Sequence, residues 1–227
     1  MVTIAERLNN AYDRIAKAEQ NGQISDPVQL LAVSKTKPIE LIQQAYDAGQ
    51  RLFGESYVQE AVDKVSHFKA LRDIEWHFIG PIQSNKSRHI AEHFSWVQSV
   101  DRLKIARRLN EQRPTNLKPL NILIQVNISE DVNKSGCVPS ELESLAQFIS
   151  ESKQLTLRGL MTITAKTDDS ELQQQYFQQM KDCFDKLKAQ YPQIDTLSMG
   201  MSSDLEPAVA AGATMVRIGT DIFGKRQ

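Results

Sequence analysis

The 227-residue chain carries 27 Lys and Arg against 28 Asp and Glu, and a formal charge of −1 exerts no general pull toward nucleic acid or an anionic membrane. Its two cysteines, Cys137 and Cys183, stand far apart with no C-x-x-C or histidine-rich spacing, so neither a zinc site nor a disulfide framework is indicated, and a reducing, cytoplasmic setting fits. Met1 to Gln20 is charged throughout, unlike a signal peptide, and no apolar run is long enough to span a bilayer. At this length one domain over residues 1–227 is the expectation.

Ile4, Leu8, Tyr12 and Ile15 recur at helical spacing, so the chain opens on an amphipathic helix that stops near Asn21-Gly22. The apolar run Leu30-Leu31-Ala32-Val33 reads as a strand buried on both faces, and it leads into Ser34-Lys35-Thr36-Lys37-Pro38. Lys35 then stands at the strand's carboxyl tip, with Pro38 suited to the first position of the next helix. That helix carries Leu41, Ile42 and Ala45 and ends at Gly49. Leu52-Phe53-Gly54 resumes as strand, and Ser56 with Gln59 forms a capping-box pattern ahead of a helix bearing Val58, Ala61, Val62, Val65 and Phe68.

Glu75 to Gly80 is the third strand, followed by the polar loop Pro81 to Lys86 and a short helix to His93. Trp96 to Val100 is the fourth, with Asp101 placed to cap the helix of Leu103, Ala106 and Leu109. Leu120 to Ile128 has the strongest strand pattern. A polar loop from Ser129 to Gly136 and a helix through Leu142, Leu145, Ala146 and Ile149 follow, then strand six, Leu157 to Ile163. Asp168 or Asp169 caps a longer helix with Leu172, Tyr176, Met180, Phe184 and Leu187 on one face. Thr196 to Gly200 is strand seven, Ser203 with Glu206 makes another capping box, and Met215 to Gly219 is strand eight.

Eight strands alternating with helices over short loops indicate an α/β fold, a (β/α)8 TIM barrel with an extra N-terminal helix. An open doubly wound sheet is the alternative. The barrel is preferred because the size matches and nothing like GxGxxG follows the first strand. The opening helix, with no strand before it, is free to plug one barrel end.

In such barrels a phosphate commonly binds the loops after strands seven and eight. Here these begin Gly200-Met201-Ser202-Ser203 and Gly219-Thr220. Either loop alone reads as ordinary turn chemistry. Together, and beside Lys35 once strands one and eight are neighbours, they supply an anion cradle and an amine, with Arg217 arriving between them. Those are the parts needed to hold pyridoxal 5′-phosphate, PLP, by a Schiff base.

The segments AVSKTKP, FGESYVQE, EWHFIGPIQSNK, RGLMTI, SMGMSSDLEPAVAAGATMVRIGT and IFG, in order over nearly the whole chain, resemble the pyridoxal phosphate homeostasis proteins, the YggS/PROSC family. The resemblance implies the barrel of alanine racemase, PLP as cofactor, and a role in maintaining intracellular PLP without substantial turnover. It implies Lys35 rather than Lys37 as the Schiff-base lysine, Ser202, Gly219 and Thr220 at the phosphate, and Arg217 at the pyridine nitrogen. His77, Met161 and Gly200 complete the expected cofactor-binding set, with no catalytic and no metal-binding residue. One departure stands out: the family usually reads FGENY, and this chain has Ser56 in place of that asparagine.

His77 is balanced between a ring-facing role and a hydrogen-bonded core role. Asn85 and Lys86 read as helix-end residues, Lys134 as a loop lysine on the cofactor's rim, and Trp76, Trp96 and Phe223 as core. Three functions are weighed: a PLP carrier, a PLP-dependent amino-acid racemase, and a cofactor-free Schiff-base aldolase. Arg217 beside the ring nitrogen weakens the electron sink. The chain runs only a few residues past the last strand, leaving no second domain to supply an opposing base. The aldolase lacks the carboxylate and lysine array expected within barrel strands. The expectation is therefore a carrier that is monomeric, binds neither nucleic acid nor membrane, and exchanges PLP with PLP-dependent apo-enzymes.

Overall fold

The computed structural model describes residues 2–225; Met1, Arg226 and Gln227, at the two ends of the expected domain, lie outside the described residues. Eight parallel strands close a barrel in sequence order: β1 (Gln29–Val33), β2 (Leu52–Glu55), β3 (Glu75–Phe78), β4 (Trp96–Val100), β5 (Leu120–Gln125), β6 (Leu155–Met161), β7 (Thr196–Met201) and β8 (Met215–Ile218). β8 pairs back onto β1 with Leu30 opposite Val216 and Leu31 opposite Arg217, which removes the open-sheet alternative. The strands read as continuous apolar runs because both faces are covered; β4 and β8 are buried at every position.

The outer ring comprises α2 (Ile39–Asp47), α3 (Val58–His67), α4 (Ser87–His93), α5 (Leu103–Gln112), α6 (Leu142–Glu151), α7 (Ser170–Gln190), α8 (Leu205–Ala210) and α9 (Thr220–Phe223). The main core lies between this ring and the outward strand faces, where Ala32, Phe53, Phe78, Val97, Ile122 and Val216 are fully buried. A smaller apolar cluster of Trp96, Leu123 and Met161, with Ile163 against it, stands apart from that core.

The opening helix α1 (Ile4–Gly22) packs on the outside against α8, α9 and α2, and does not plug the barrel. Its buried stripe is Ile4, Leu8, Ala11, Ile15 and Ala18. Tyr12, expected in that stripe, is 43% exposed and donates its hydroxyl to Gln50 Oε1 at 2.7 Å. From the polar side of α1, Arg14 pairs with Glu206 at 3.0 Å and with Asp221 at 2.9 Å, and donates to the Ser202 carbonyl at 3.0 Å. One guanidinium thus laces the turns after β7 and β8 together.

Three expected caps are not made. Tyr57, Arg102 and Asp204 hold the N-cap positions of α3, α5 and α8 without side-chain capping bonds. Ser56 instead lines a cavity, and Asp101 pairs with Arg102 at 2.5 Å. Asp204 accepts the Met201 N–H at 2.5 Å, so Ser203 and Glu206 form no box. Asp169 does cap α7, and Thr3 with Glu6 forms a capping box on α1 that the sequence pattern had not revealed. In α7, Phe177 is buried while Leu172 and Tyr176 are only half-buried.

β6 begins two residues earlier than its pattern suggests and carries a bulge: Ile122 faces Leu157, Leu123 faces Gly159, and Arg158 is the extra residue. Gly159 has φ 146°, and a Cβ there would fall on the Thr196 carbonyl oxygen of the neighbouring strand. Gly159→Ala should therefore cost about 3 kcal/mol through strain and overlap, lowering the thermal midpoint by roughly 6–12 °C for a chain of this size. An unchanged midpoint in calorimetry would refute the claim that this bulge needs glycine.

Candidate functional site

β1 delivers Lys35. The strand ends at Val33, and the chain turns through Ser34–Lys37, closed by the Lys37 N–H donating to the Ser34 carbonyl at 3.0 Å. Thr36, third in this turn, has φ 61°, a left-handed conformation that β-branched residues rarely adopt. Lys35 is half-buried and lines a cavity of about 240 Å³ at the carboxyl ends of the strands. Lys37 does not line it; its Nζ donates to the Lys225 carbonyl at 2.8 Å.

The polar wall opposite Lys35 comes from β7, β8 and the turns after them: Ser202, Ser203, Arg217, Gly219 and Thr220. Val33, Ile79, Ile163 and Met201 supply the apolar wall, with Ser56 beside them. Gly219 allows close approach of the two strand tips, since a Cβ there would lie 3.2 Å from the Val33 carbonyl oxygen. Gly200 does not line the cavity; it has φ 91°, and a Cβ would lie 2.5 Å from Ala208 Cβ, so glycine lets the chain leave β7 against α8.

Arg217 is 3% exposed, and its hydrogen-bond partners are neutral: Nη1 donates to Ser198 Oγ at 2.7 Å and Nη2 to the Thr162 carbonyl at 2.7 Å. Burial pulls its pKa down to about 10, partly opposed by Asp204, so it stays charged at neutral pH. A buried cation held by neutral acceptors keeps its field for whatever occupies the cavity, favouring an electron-rich atom or an anion there.

Behind Arg217 a chain of bonds crosses the barrel. Ser198 Oγ donates to Gln98 Oε1 at 2.7 Å, and Gln98 Nε2 lies 2.9 Å from His77 Nδ1. His77 is fully buried and stacked on Trp96, with centroids 5.0 Å apart and planes at 12°. Burial, then the charge of Arg158, depresses its pKa to about 3. The ring is therefore neutral, and the Gln98 donor assigns the proton to Nε2. His77 and Met161, both expected at the cofactor, are fully buried and absent from the cavity wall. Of the two roles weighed for His77, the geometry is that of a hydrogen-bonded core residue.

Asn85, Lys86 and Lys134 do not line the cavity either; the Lys134 N–H closes its own loop on the Asp131 carbonyl at 2.9 Å. Cys137 is buried, which pushes its thiol up to about 12 and leaves it unreactive. Among the described residues no cluster of His, Cys, Asp or Glu could hold a metal ion, and no helix is long and apolar enough to cross a membrane.

A larger cavity, about 740 Å³, opens at the amino ends of the strands. Several of its polar groups pair with one another: Arg158 pairs with Asp195 at 2.6 Å and lies 4.5 Å over the Trp96 ring, whose Nε1 donates to Glu75 at 2.8 Å. In barrels this end serves stability. The smaller cavity holds the amine and the buried cation and is the candidate site. Sequence reasoning missed Ser198 and Gln98, although alternation along β7 and β4 from Thr196 and Trp96 signals both as inward-facing.

A family model described as the alanine racemase N-terminal domain matches residues 8–227. The chain is 56% identical to a pyridoxal phosphate homeostasis protein of Vibrio alginolyticus, over 100% of this chain and 99% of the relative. It is 55% identical to the protein of the same name in Escherichia coli, over 100% and 98%. Among solved structures, PipY of Synechococcus elongatus with PLP bound superposes with a TM-score of 0.84 at 39% identity, over 98% of this chain and 100% of that one. Alanine racemase of Corynebacterium glutamicum shares the fold, with a TM-score of 0.67 at 17% identity over 94% of this chain and 61% of that one. On full-length identity to these relatives, the chain belongs to the pyridoxal phosphate homeostasis family (YggS/PROSC), on the barrel fold of the alanine racemase N-terminal domain.

Proposed function

We propose that this protein binds PLP at the Lys35 cavity and serves intracellular PLP homeostasis by buffering or handing on the cofactor. The observation that carries the reading is that Lys35, the buried Arg217 and the Ser202 and Gly219-Thr220 turns line one cavity. The donor set fits the group: an amine for an aldehyde, hydroxyl and backbone donors for a phosphate, and a fixed cation for a ring nitrogen. The names of the relatives support it.

Lys35 would hold the aldehyde end of PLP through its side-chain amine. Ser202, Gly219 and Thr220 hold the phosphate, while Gly200 shapes the turn before them. Arg217 would stand at the pyridine nitrogen and disfavour its protonation, since two adjacent like charges repel. His77 and Met161 act from behind the wall, as support. Bound PLP supplies an electron sink to any amine joined to it, and Arg217 weakens that sink. Lys35 supplies the one amine side chain among the described lining residues, whereas racemisation needs positioned bases on both faces. The same reading takes residues 1–227 as one PLP-binding unit, a cytoplasmic monomer that exchanges cofactor with PLP-dependent apo-enzymes.

Three experiments test this reading. Lys35→Ala should abolish the visible absorbance and the borohydride-stable label while Lys37→Ala keeps both; the reverse pattern would move the Schiff base to Lys37. Thr220→Val removes one phosphate donor and should weaken PLP binding by about 1–3 kcal/mol. Pyridoxal, lacking the phosphate, should bind the variant and the parent alike, and a large difference with pyridoxal would place Thr220 elsewhere. Holo-protein incubated with L-amino acids in heavy water should exchange the α-proton no faster than free PLP. Faster exchange that is lost in Lys35→Ala would make the protein a racemase.

A further inference from the structure

Three charged side chains outside the cavity wall converge on the turn that carries Lys35. Glu55 ends β2 and is fully buried, and Lys64, on α3, is 4% exposed. Glu60 precedes Lys64 by one helical turn, with its side chain 31% exposed. Lys64 Nζ donates to Glu55 Oε1 at 2.8 Å, to the Ser34 carbonyl at 2.8 Å and to Glu60 Oε1 at 2.5 Å. An ammonium has three donors, and these use all of them.

The two carboxylates also take hydrogen bonds from the turn itself. Glu55 Oε1 accepts the Ser34 hydroxyl at 2.6 Å, and Glu60 Oε1 accepts the Thr36 N–H at 2.7 Å. Both neighbours of Lys35 are therefore tied to one charge cluster, and one of them, Thr36, is held at φ 61°. Burial pushes the Glu55 carboxyl up, with Lys64 and Ser34 pulling it back, and its Oε2 makes no hydrogen bond among the described residues. A buried ion cluster is a poor source of stability, since apolar side chains of similar volume serve as well or better. What apolar side chains cannot do is hold a carbonyl, a hydroxyl and an N–H of one short turn at fixed positions.

We propose that Glu55, Glu60 and Lys64 are positioning residues for Lys35, a charge triad that holds the Ser34–Thr36 turn in its left-handed form so that the amine meets the aldehyde of PLP. This rests on the reading of Lys35 as the Schiff-base lysine. None of the three lines the cavity, and each bonds the turn or a partner that does.

The test separates positioning of the lysine from upkeep of the cavity. The full chain is compared with Glu60→Ala and with Glu55→Gln/Lys64→Met, which removes both buried charges together. Two readouts are taken: the stopped-flow rate at which the visible band grows on mixing with PLP, and the affinity for pyridoxine 5′-phosphate, which keeps ring and phosphate but has an alcohol for the aldehyde. Both variants should form the band at least tenfold more slowly, while pyridoxine 5′-phosphate affinity stays within threefold. Adding Thr36→Gly to Glu60→Ala should recover a large part of the rate, because glycine adopts the left-handed turn without the anchor.

Unchanged band growth in both variants would overturn the proposal, as would an equal loss of pyridoxine 5′-phosphate binding or a failure of Thr36→Gly to rescue. Should the double variant not fold, Glu60→Ala, whose carboxylate is partly in solvent, carries the test with its rescue. Absence of the band in the parent would instead strike the Lys35 reading itself, and this proposal with it.

Discussion

The closure of β8 onto β1 is the constraint on which the site depends. Setting Leu31 opposite Arg217 and Ala32 opposite Ile218 puts the two strand tips side by side, so Lys35, Arg217 and Gly219 share one rim although some 180 residues separate the first from the others. In an open sheet these strands would be edges, and the amine and the guanidinium would never meet. Closure also creates the interior in which a polar chain can be buried, and it leaves α1, which belongs to no β/α unit, to bind the ring from outside. Arg14 uses that position to tie the turn after β7 to the start of α9. The rim is braced at the elements that carry Ser202 and Thr220.

The polar chain inside the barrel determines what the rim can present. Arg217 is an expensive side chain to bury, and Ser198 and the Thr162 carbonyl repay part of that cost without cancelling its charge. Ser198 holds its acceptor lone pair toward Arg217 because its own proton is committed to Gln98, and Gln98 is oriented by His77 Nδ1. Neutral His77 serves here as an acceptor; a protonated ring would donate from both nitrogens and clash with the Gln98 amide. His77 thereby belongs to the site's support, three bonds behind the guanidinium, with its face on Trp96.

Much of this was legible in the chain. Apolar runs spaced by helical stripes gave the strand count, and the run before Lys35 with the glycines after β7 and β8 located the rim. Local end signals were less dependable. Ser56, Asp101 and Ser203 each sit where a cap pattern belongs; a tertiary feature, the cavity wall, takes Ser56, while local bonds win at the other two, Asp101 pairing with adjacent Arg102 and Asp204 accepting the Met201 N–H in the turn that contains Ser203. The β6 bulge hides in periodicity because one extra residue reverses the inward and outward alternation from Arg158 onward. The triad behind Lys35 was invisible for another reason. Glu60 and Lys64 look like an ordinary exposed i, i+4 helix pair, and nothing in their spacing shows that Lys64 turns inward onto Glu55 and the Ser34 carbonyl.

The two ends of the barrel show how one fold divides its charges. At the amino end Arg158, Asp195, Trp96 and Glu75 are tied to one another. At the carboxyl end Arg217 has neutral hydrogen-bond partners, and the ionic cluster of Glu55, Glu60 and Lys64 binds the backbone on either side of Lys35. A site so arranged binds through electrostatics preorganised before the ligand arrives. The cavity is small, about 240 Å³, and stands at the carboxyl ends of the strands beside Lys35. The cavity wall sets the amine of Lys35, just after β1, against the polar turns after β7 and β8, with the apolar side chains of Ile79 and Ile163, just past β3 and β6, completing it.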